Sequence, residues 1–354
     1  MMVMKRDKIE VLTSGANWER EKCATKELAK ILFTNICYYD CIYCENRRSN
    51  TEIPRFSFTP QKLASFFLRL YHRGLAKGLF LSSALGGDRL KTMEKMLITV
   101  ELLRFKHKFK GYIHLKILPR VTYSYIEQAI ALADRVSINL ECPSKETLCK
   151  IAPDKDWEKD LLAPLNNLSK LARGSGVSLT TQFVVGLGGE NDRELLNVSE
   201  KLYKQYGLAR AYFSPFSPPF GKLWKEFKPA SSLRTNRLYQ ADYLIRHYGF
   251  KSKDLVYYED NLPVKLDPKL AWALNNPQLF PLEINSASFL QLKTIPGIGI
   301  KSALIIIQER TRRKITSLDY LKKMGVNTTK ASPFILLNGR SPLKSRQLTL
   351  WQSV

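Results

Sequence analysis

The chain has 354 residues, enough for one large domain with a small one or for two medium domains. Hydrophobic residues make up 44% and aromatics 11%, which allows a substantial core and excludes a disordered or collagen-like chain. Lys and Arg number 56 against 32 Asp and Glu, a formal charge of +24 that attracts polyanions, nucleic acid first among them. A generally basic surface without such a partner is the plainer alternative.

The N-terminal MMVMKRDKIE lacks the apolar core of a signal peptide. The longest apolar runs, such as ALIII over 303–307, are too short to cross a bilayer. A cytoplasmic protein without membrane contact is expected. In that reducing compartment the cysteines (Cys23, Cys37, Cys41, Cys44, Cys142 and Cys149) point to metal rather than disulfides wherever they cluster.

In chain order, β-branched apolar runs alternate with helix-period segments. KILFTNI (30–36) reads as the first strand, followed by a cysteine-rich loop. A helix starts at Thr59 with Pro60 in its first turn, a good start signal. Further strands are expected at 78–84, 111–117, 134–140, 177–185 and 209–215. Helical patterns run over 91–108, 122–133, 158–173, 190–206 and 231–248. Six strand–helix units in series predict an α/β fold with a parallel sheet, open or curled into a partial (β/α)6 TIM-like barrel over residues 1–250. The strands are two-faced: Val136, Ile138 and Leu140 alternate with Ser137, Asn139 and Glu141, and Ile113, Leu115 and Ile117 alternate with Tyr112, His114 and Lys116. Gln182 and Thr180 stand among apolar neighbours in the same way. The apolar rows should lie under the helices and the polar rows should line an interior that holds a polar ligand. A sheet with one wet face is the alternative. Residues 251–285, rich in Pro, Asp and Asn, read as a linker or packing arm, and 286–354 as a separate small helical module.

The sharpest signal is FTNICYYDCIYCENRR, which spaces Cys37, Cys41 and Cys44 as C-x3-C-x2-C just past the first strand. Catalytic groups of β/α folds gather at that end. Structural zinc takes four donors, and no His or fourth Cys stands at a usual spacing. Thiolates also favour iron–sulfur clusters, and three ligands on four irons leave one iron open. A zinc site completed from afar and unliganded buried cysteines are the alternatives.

The spacing, its position and Tyr43 before the last cysteine resemble the radical S-adenosylmethionine (SAM) superfamily. That resemblance implies a [4Fe–4S] cluster on Cys37, Cys41 and Cys44. Its open iron chelates S-adenosylmethionine, whose reductive cleavage gives a 5′-deoxyadenosyl radical that takes hydrogen from a substrate. It also implies an electron donor of low potential, such as flavodoxin or ferredoxin. SSALGGD (82–88) stands where relatives carry a Gly-Gly-Glu-like turn on the cofactor's amino group, which assigns Ser82, Ser83, Gly86 and Gly87; Asp88 departs from the usual glutamate. Asn139 and Glu141, at the end of the fourth strand, match polar cofactor contacts, and Gln182 faces the same interior. In FVVGLGGE (183–190), Gly186 and Gly188 would let the backbone approach the adenosine.

FLQLKTIPGIGIKSALIIIQER (289–310) resembles a helix-hairpin-helix, a DNA-binding element without sequence preference. Gly297 and Gly299 permit the tight turn, free N–H groups at the next helix can hold a phosphate, and Lys301 adds charge. Residues 286–354 carry 12 basic side chains and 2 acidic ones, suited to phosphate contacts. A hairpin used for packing is the alternative; ITSLDYLKKMGV (315–326) reads as a degenerate partner. From about Lys26 to the end the chain resembles a bacterial family of radical SAM proteins assigned to DNA modification or repair. The resemblance rests on CENRRSN (44–50), FLSSA (80–84), GYIHLKI (111–117), APDKD (152–156), RLYQADYLIRHYGF (237–250) and DPKLAWALNNP (267–277). It implies radical chemistry on a DNA base, with RNA as the alternative substrate and a non-enzymatic, metal-containing nucleic-acid-binding protein as a third reading. Tyr38, Tyr39, Arg47 and Arg48 beside the cysteines would stack bases or hold phosphates, with barrel-mouth packing and cofactor contacts as the alternative. Cys142 would donate hydrogen to a product radical, with a buried inert thiol as the alternative.

Overall fold

The computed structural model describes residues 12–13, 28–219, 224 and 228–343. Cys23, the start of the resemblance at Lys26 and the end of the expected C-terminal module (344–354) lie outside the described residues. The chain divides into two compact units. One comprises residues 1–190 and 201–235, the other 191–200 and 236–354.

In the first unit six parallel strands pair in sequence order: β1 (Leu28–Leu32), β2 (Gly78–Ser82), β3 (Tyr112–Lys116), β4 (Arg135–Ser137), β5 (Ser178–Val185) and β6 (Arg210–Pro215). This is the curled, partial TIM-like barrel that the strand–helix alternation predicts. Helix α1 (Pro60–His72) begins as read, with the Thr59 hydroxyl accepting from the Lys62 N–H. It buries Leu63, Ala64, Phe66 and Phe67, one face of a 3.6-residue repeat. Helices α2 (Arg89–Glu101), α3 (Tyr123–Leu132), α4 (Lys145–Ile151), α5 (Ala163–Ala172), α6 (Asp192–Tyr206) and α7 (Ser232–Tyr243) follow. The short α4, capped by Ser144, carries too few periodic residues to be visible in the sequence pattern. The segments expected as single helices over 91–108, 158–173 and 231–248 each contain a π-helical turn, at Leu102–Lys106, Trp157–Leu162 and Leu244–Tyr248. One widened turn leaves the apolar period nearly unchanged, so sequence does not show it.

The apolar rows form the core beneath the helices: Leu79, Leu81, Ile113, Leu115, Val136, Ile138 and Leu140 are all at most 1% exposed. The polar rows are enclosed as well. His114, Ser137, Glu141 and Thr180 are 4% exposed or less, which rules out the wet-faced sheet.

In the second unit α8 (Pro268–Leu274) leads to two hairpins: α9 (Phe289–Thr294) with α10 (Ile300–Arg312), and α11 (Leu318–Lys323) with α12 (Thr328–Ala331). The hairpins lock at their turns. Gly297 has φ +83°, a Cβ on it would meet the Asn327 carbonyl at 2.4 Å, and Asn327 N–H donates to the Gly297 carbonyl at 2.9 Å. Segment 315–326 contributes α11 to the second of these hairpins. Two expectations change. The unit is helical but not all-α, because β7 (Leu282–Glu283) pairs in parallel with β8 (Ile335–Leu336). And 251–285 is no separate linker: Leu270, Ala273 and Ile284 share one apolar core with Leu292, Ile306 and Leu321. Burial of these side chains makes residues from 236 onward part of the same unit, so the boundaries at 250 and 286 are not where the chain divides.

Candidate functional site

The cysteine loop leaves the C-terminal end of β1. Cys41 is buried, and Cys37 and Cys44 are partly exposed. A dense set of polar contacts fixes the loop. The Asp40 carboxylate takes a bidentate bond from Arg47 (2.7 and 2.8 Å) and two more from Ser49. Those bonds, Arg47's first, hold Asp40 below the usual carboxylate range. The Arg55 guanidinium donates to four carbonyls, those of Asn35, Asn46, Arg47 and Asn50, at 2.7–2.9 Å. Ile42 is anchored on both sides: its N–H donates to the Ile151 carbonyl, and its carbonyl accepts from the Trp224 indole at 2.6 Å.

Burial raises the pKa of the Cys44 thiol to about 12, with Cys41 and Cys37 adding to the rise. Burial likewise raises Cys41, opposed by Lys155. Neighbouring thiols that repel one another as thiolates call for a cationic centre. Among the described residues no group of three or more His, Cys, Asp or Glu side chains converges as one metal ion requires. A four-iron cluster takes each thiolate on a different iron, so its ligands stand further apart than around one ion. Three thiols without imidazole or carboxylate fit an iron–sulfur cluster better than the zinc alternative.

Beside the loop, residues named from the sequence join one network. The Lys155 ammonium donates to the Tyr43 hydroxyl (3.0 Å) and to Glu141 (2.8 Å). The Asn139 amide lies 3.5 Å from both Glu141 and Gln182, and Gln182 donates to Ser214 at 2.5 Å. Burial opposes the Lys155 charge, but Glu141 and the thiols of Cys41 and Cys44 outweigh it and hold its pKa above the ordinary value. Burial would raise Glu141; Lys155 and Lys116 reverse this and lower it. Glu141 has φ +68°, a conformation that costs an L-residue energy and turns the chain after β4. The buried hydroxyl oxygen of Thr180, in the same interior, has no hydrogen-bond partner among the described residues. A bound polar group or water would satisfy it. Sequence reasoning missed Lys155, Asp40 and Arg55. Lys155 stood in the quoted APDKD stretch, but no spacing rule marks a lysine that pairs across the fold.

Several expected roles change. Asp88 caps α2, accepting from Leu90 N–H at 2.9 Å and Lys91 N–H at 3.3 Å, which accounts for its departure from glutamate. Gly86 presses on the cysteine loop, where a Cβ would meet the Ile36 carbonyl at 2.6 Å, while Gly87 is open. Ser82 is buried, and the Ser83 hydroxyl donates to the Ala84 carbonyl. Gly186 and Gly188 have packing reasons: added Cβ atoms would meet Ala230 at 2.5 Å and Thr147 at 2.3 Å. The N–H groups of both glycines donate to the buried Glu190 carboxylate. Arg47 is engaged by Asp40 and is not free to hold a phosphate, whereas Arg48 is exposed. Cys142 is fully buried, and its thiol donates to the Ser144 carbonyl at 3.3 Å, the setting expected of an inert thiol. Cys142→Ala should leave the products unchanged; an altered product distribution by mass spectrometry would establish the donor role.

A cavity of about 290 Å³ opens beside the cysteine loop, lined by Tyr38, Tyr39, Gly87, Arg89, Arg120 and Asp154 among others. In the second unit Lys301 is exposed and Gly299 caps α10, with the Tyr248 hydroxyl 3.8 Å from where a Gly299 Cβ would lie.

Residues 31–202 match the radical SAM superfamily, which makes that segment a radical SAM domain. Members of that superfamily use a [4Fe–4S] cluster and S-adenosylmethionine, the two cofactors the cysteine loop implies. Among solved structures, similarity extends to HydG, a maturase of the [FeFe]-hydrogenase, with 16% identity, TM-score 0.49 and coverage of 62% of this chain and 49% of that one. It also extends to HydG from Carboxydothermus hydrogenoformans (17%, TM-score 0.48, 67% and 56%) and to methylornithine synthase, PylB (16%, TM-score 0.49, 66% and 68%). The chain spans about half the length of the two maturases. No curated protein matches it.

Proposed function

We propose that this chain is a radical SAM enzyme acting on nucleic acid, DNA before RNA. The observation that carries the reading is the charge of the barrel interior. Lys116 and Arg135 stand on the inward rows of β3 and β4, with Lys155 beside the cysteine loop, and Glu141 pairs with Lys155. Arg135 makes its bonds to neutral groups, Ser178 and Tyr212. Burial pulls Lys116 below the ordinary lysine value, with Glu141 pulling the other way. Enclosing cations in such excess is costly unless an anion completes the site. S-adenosylmethionine brings one carboxylate but also an ammonium and a sulfonium, so it does not neutralise them. Phosphates would.

In this reading Cys37, Cys41 and Cys44 hold the cluster, and Tyr43, Ser82, Gly86, Gly87, Asn139, Glu141 and Gln182 surround the cofactor. Cluster and cofactor, when bound, supply a 5′-deoxyadenosyl radical. Asp40 and Arg55 hold the loop in shape, while Tyr38 and Arg89 at the adjoining cavity offer a ring and a cation to an unstacked nucleotide, Arg120 being paired with Asp160. The basic hairpins of the second unit would hold phosphates without reading sequence. A low-potential donor such as flavodoxin or ferredoxin would supply electrons. Among the described residues no helix is long and apolar enough to cross a membrane.

The test is 5′-deoxyadenosine release by anaerobically reconstituted, reduced protein with single-stranded DNA, duplex DNA or tRNA. Stimulation by DNA, strongest where bases are unpaired, is expected. Stimulation by tRNA alone would move the substrate to RNA. Indifference to every nucleic acid would overturn the reading, and absence of iron–sulfur absorbance would leave the non-enzymatic one.

A further inference from the structure

The second unit contains an open cavity of about 490 Å³ that shares no lining residue with the cysteine site, walled by Tyr239, Tyr243, Tyr248, Lys269, Lys330 and Asp267 among others. Its aromatic wall depends on the π-turn Leu244–Tyr248 that extends α7. In a regular α-helix, residues five apart diverge around the axis; the widened turn brings Tyr243 and Tyr248 together, with ring centroids 5.8 Å apart. Tyr243 is 48% exposed, so its ring is presented to solvent rather than packed away.

The cationic wall is equally specific. The Lys269 ammonium donates to the Ile298 carbonyl at 2.5 Å and lies 5.0 Å from the Tyr248 ring. It has no ion pair among the described residues, because the nearby Asp267 carboxylate is bonded to Lys330 at 2.7 Å and to Leu270 N–H. A lysine held mostly out of water, facing neutral groups, suits an anion entering the cavity. Tyr248 reaches the start of α10, where a Cβ on Gly299 would lie 3.8 Å from its hydroxyl, beside exposed Lys301.

Ring faces and an uncompensated ammonium in one cavity match a ligand that is planar at one end and anionic at the other. We propose that this cavity binds one unpaired nucleotide, its base against Tyr243 and Tyr248 and its phosphate on Lys269. As a site on a nucleic-acid strand it rests on the proposed function and deepens it: the second unit would grip unpaired nucleotides as well as backbone.

The test uses the full-length protein, with labelled single-stranded DNA and RNA oligonucleotides, a fully paired duplex and a mononucleotide as probes. Tyr243→Ala should weaken unpaired strands at least about fivefold, the lower range for loss of one stacked base, and Tyr243→Phe should stay within about twofold. Lys269→Met should weaken them similarly and reduce the log–log salt slope by about 0.7. Duplex binding should change by less than about twofold. The deoxy and ribo strands decide which nucleic acid the cavity prefers.

Lys269→Met also carries its own folding control. Burial lowers the pKa of Lys269 to about 7, with Asp267 opposing; Tyr239, Tyr243, Tyr248 and Lys330 are the other titratable groups at the cavity. The unfolded chain keeps that proton up to the ordinary lysine value, so this group's contribution to stability rises with pH above about 7. Removing the ammonium should therefore leave Tm at neutral pH unchanged or raise it while binding falls. Equal binding by all variants would overturn the site and leave the proposed function standing. A wild-type chain that binds no strand would overturn the proposed function, and the mononucleotide titration would then decide the site alone.

Discussion

Arg55→Ala should yield a folded protein with less than about a tenth of the wild-type iron content and no measurable 5′-deoxyadenosine release. One guanidinium supports four carbonyls spread along the cysteine loop and the strand end that feeds it. Bonds from a charged donor contribute about 1.5–3 kcal/mol each, and the abandoned carbonyls add their own cost. That sum exceeds what a loop without regular secondary structure can lose and still hold three thiols in place. The loss should be local, because the barrel strands do not depend on Arg55, and far-ultraviolet circular dichroism should be unchanged. Arg55→Lys should recover little, since an ammonium lacks the planar fork that reaches four acceptors at once. Iron analysis with absorbance spectra after anaerobic reconstitution reads the outcome; a fully loaded Arg55→Ala protein would show that the loop holds itself.

The second large effect is expected at Glu141 and Lys155. Both side chains are at most 10% exposed, and the pair closes at 2.8 Å. Glu141→Gln leaves a buried ammonium, and Lys155→Met a buried carboxylate. Each should cost about 3–5 kcal/mol in chemical denaturation, because the surviving charge is out of water without its partner. The double variant should recover most of that loss, as replacing a whole buried pair is often close to neutral. Additive losses in the double variant would show that the two residues act separately. Activity should not recover in the double variant, since Tyr43 would lose the Lys155 bond beside the cluster ligands.

Much of the fold could be read because apolar alternation and β/α spacing determine it. All six strands fall within the expected runs or overlap them, and Thr59 with Pro60 marks α1 correctly. The strand β4 is shorter than its pattern, ending at Ser137, because the chain soon turns through left-handed Glu141, which hydrophobicity does not encode. The π-turns escaped for the same kind of reason. At the site, chemistry-bearing residue types at fixed spacing were visible: the three cysteines, and Tyr43, Asn139, Glu141 and Gln182, which meet in one network. Supporting residues were not. Arg55, Asp40, Lys155 and Glu190 act on partners set by folding rather than by local spacing, and nothing about a lone arginine or lysine announces that. The glycines of FVVGLGGE were read as room for a ligand when their neighbours are Thr147 and Ala230.

The six strands form an arc rather than a ring, with β1 and β6 each paired on one side within the sheet. A closed barrel fills its interior with side chains and works only at one rim. An arc need not: with the edges of β1 and β6 unjoined, the inward rows are not forced to fill one another, and room remains for the polar side chains of the strands between them.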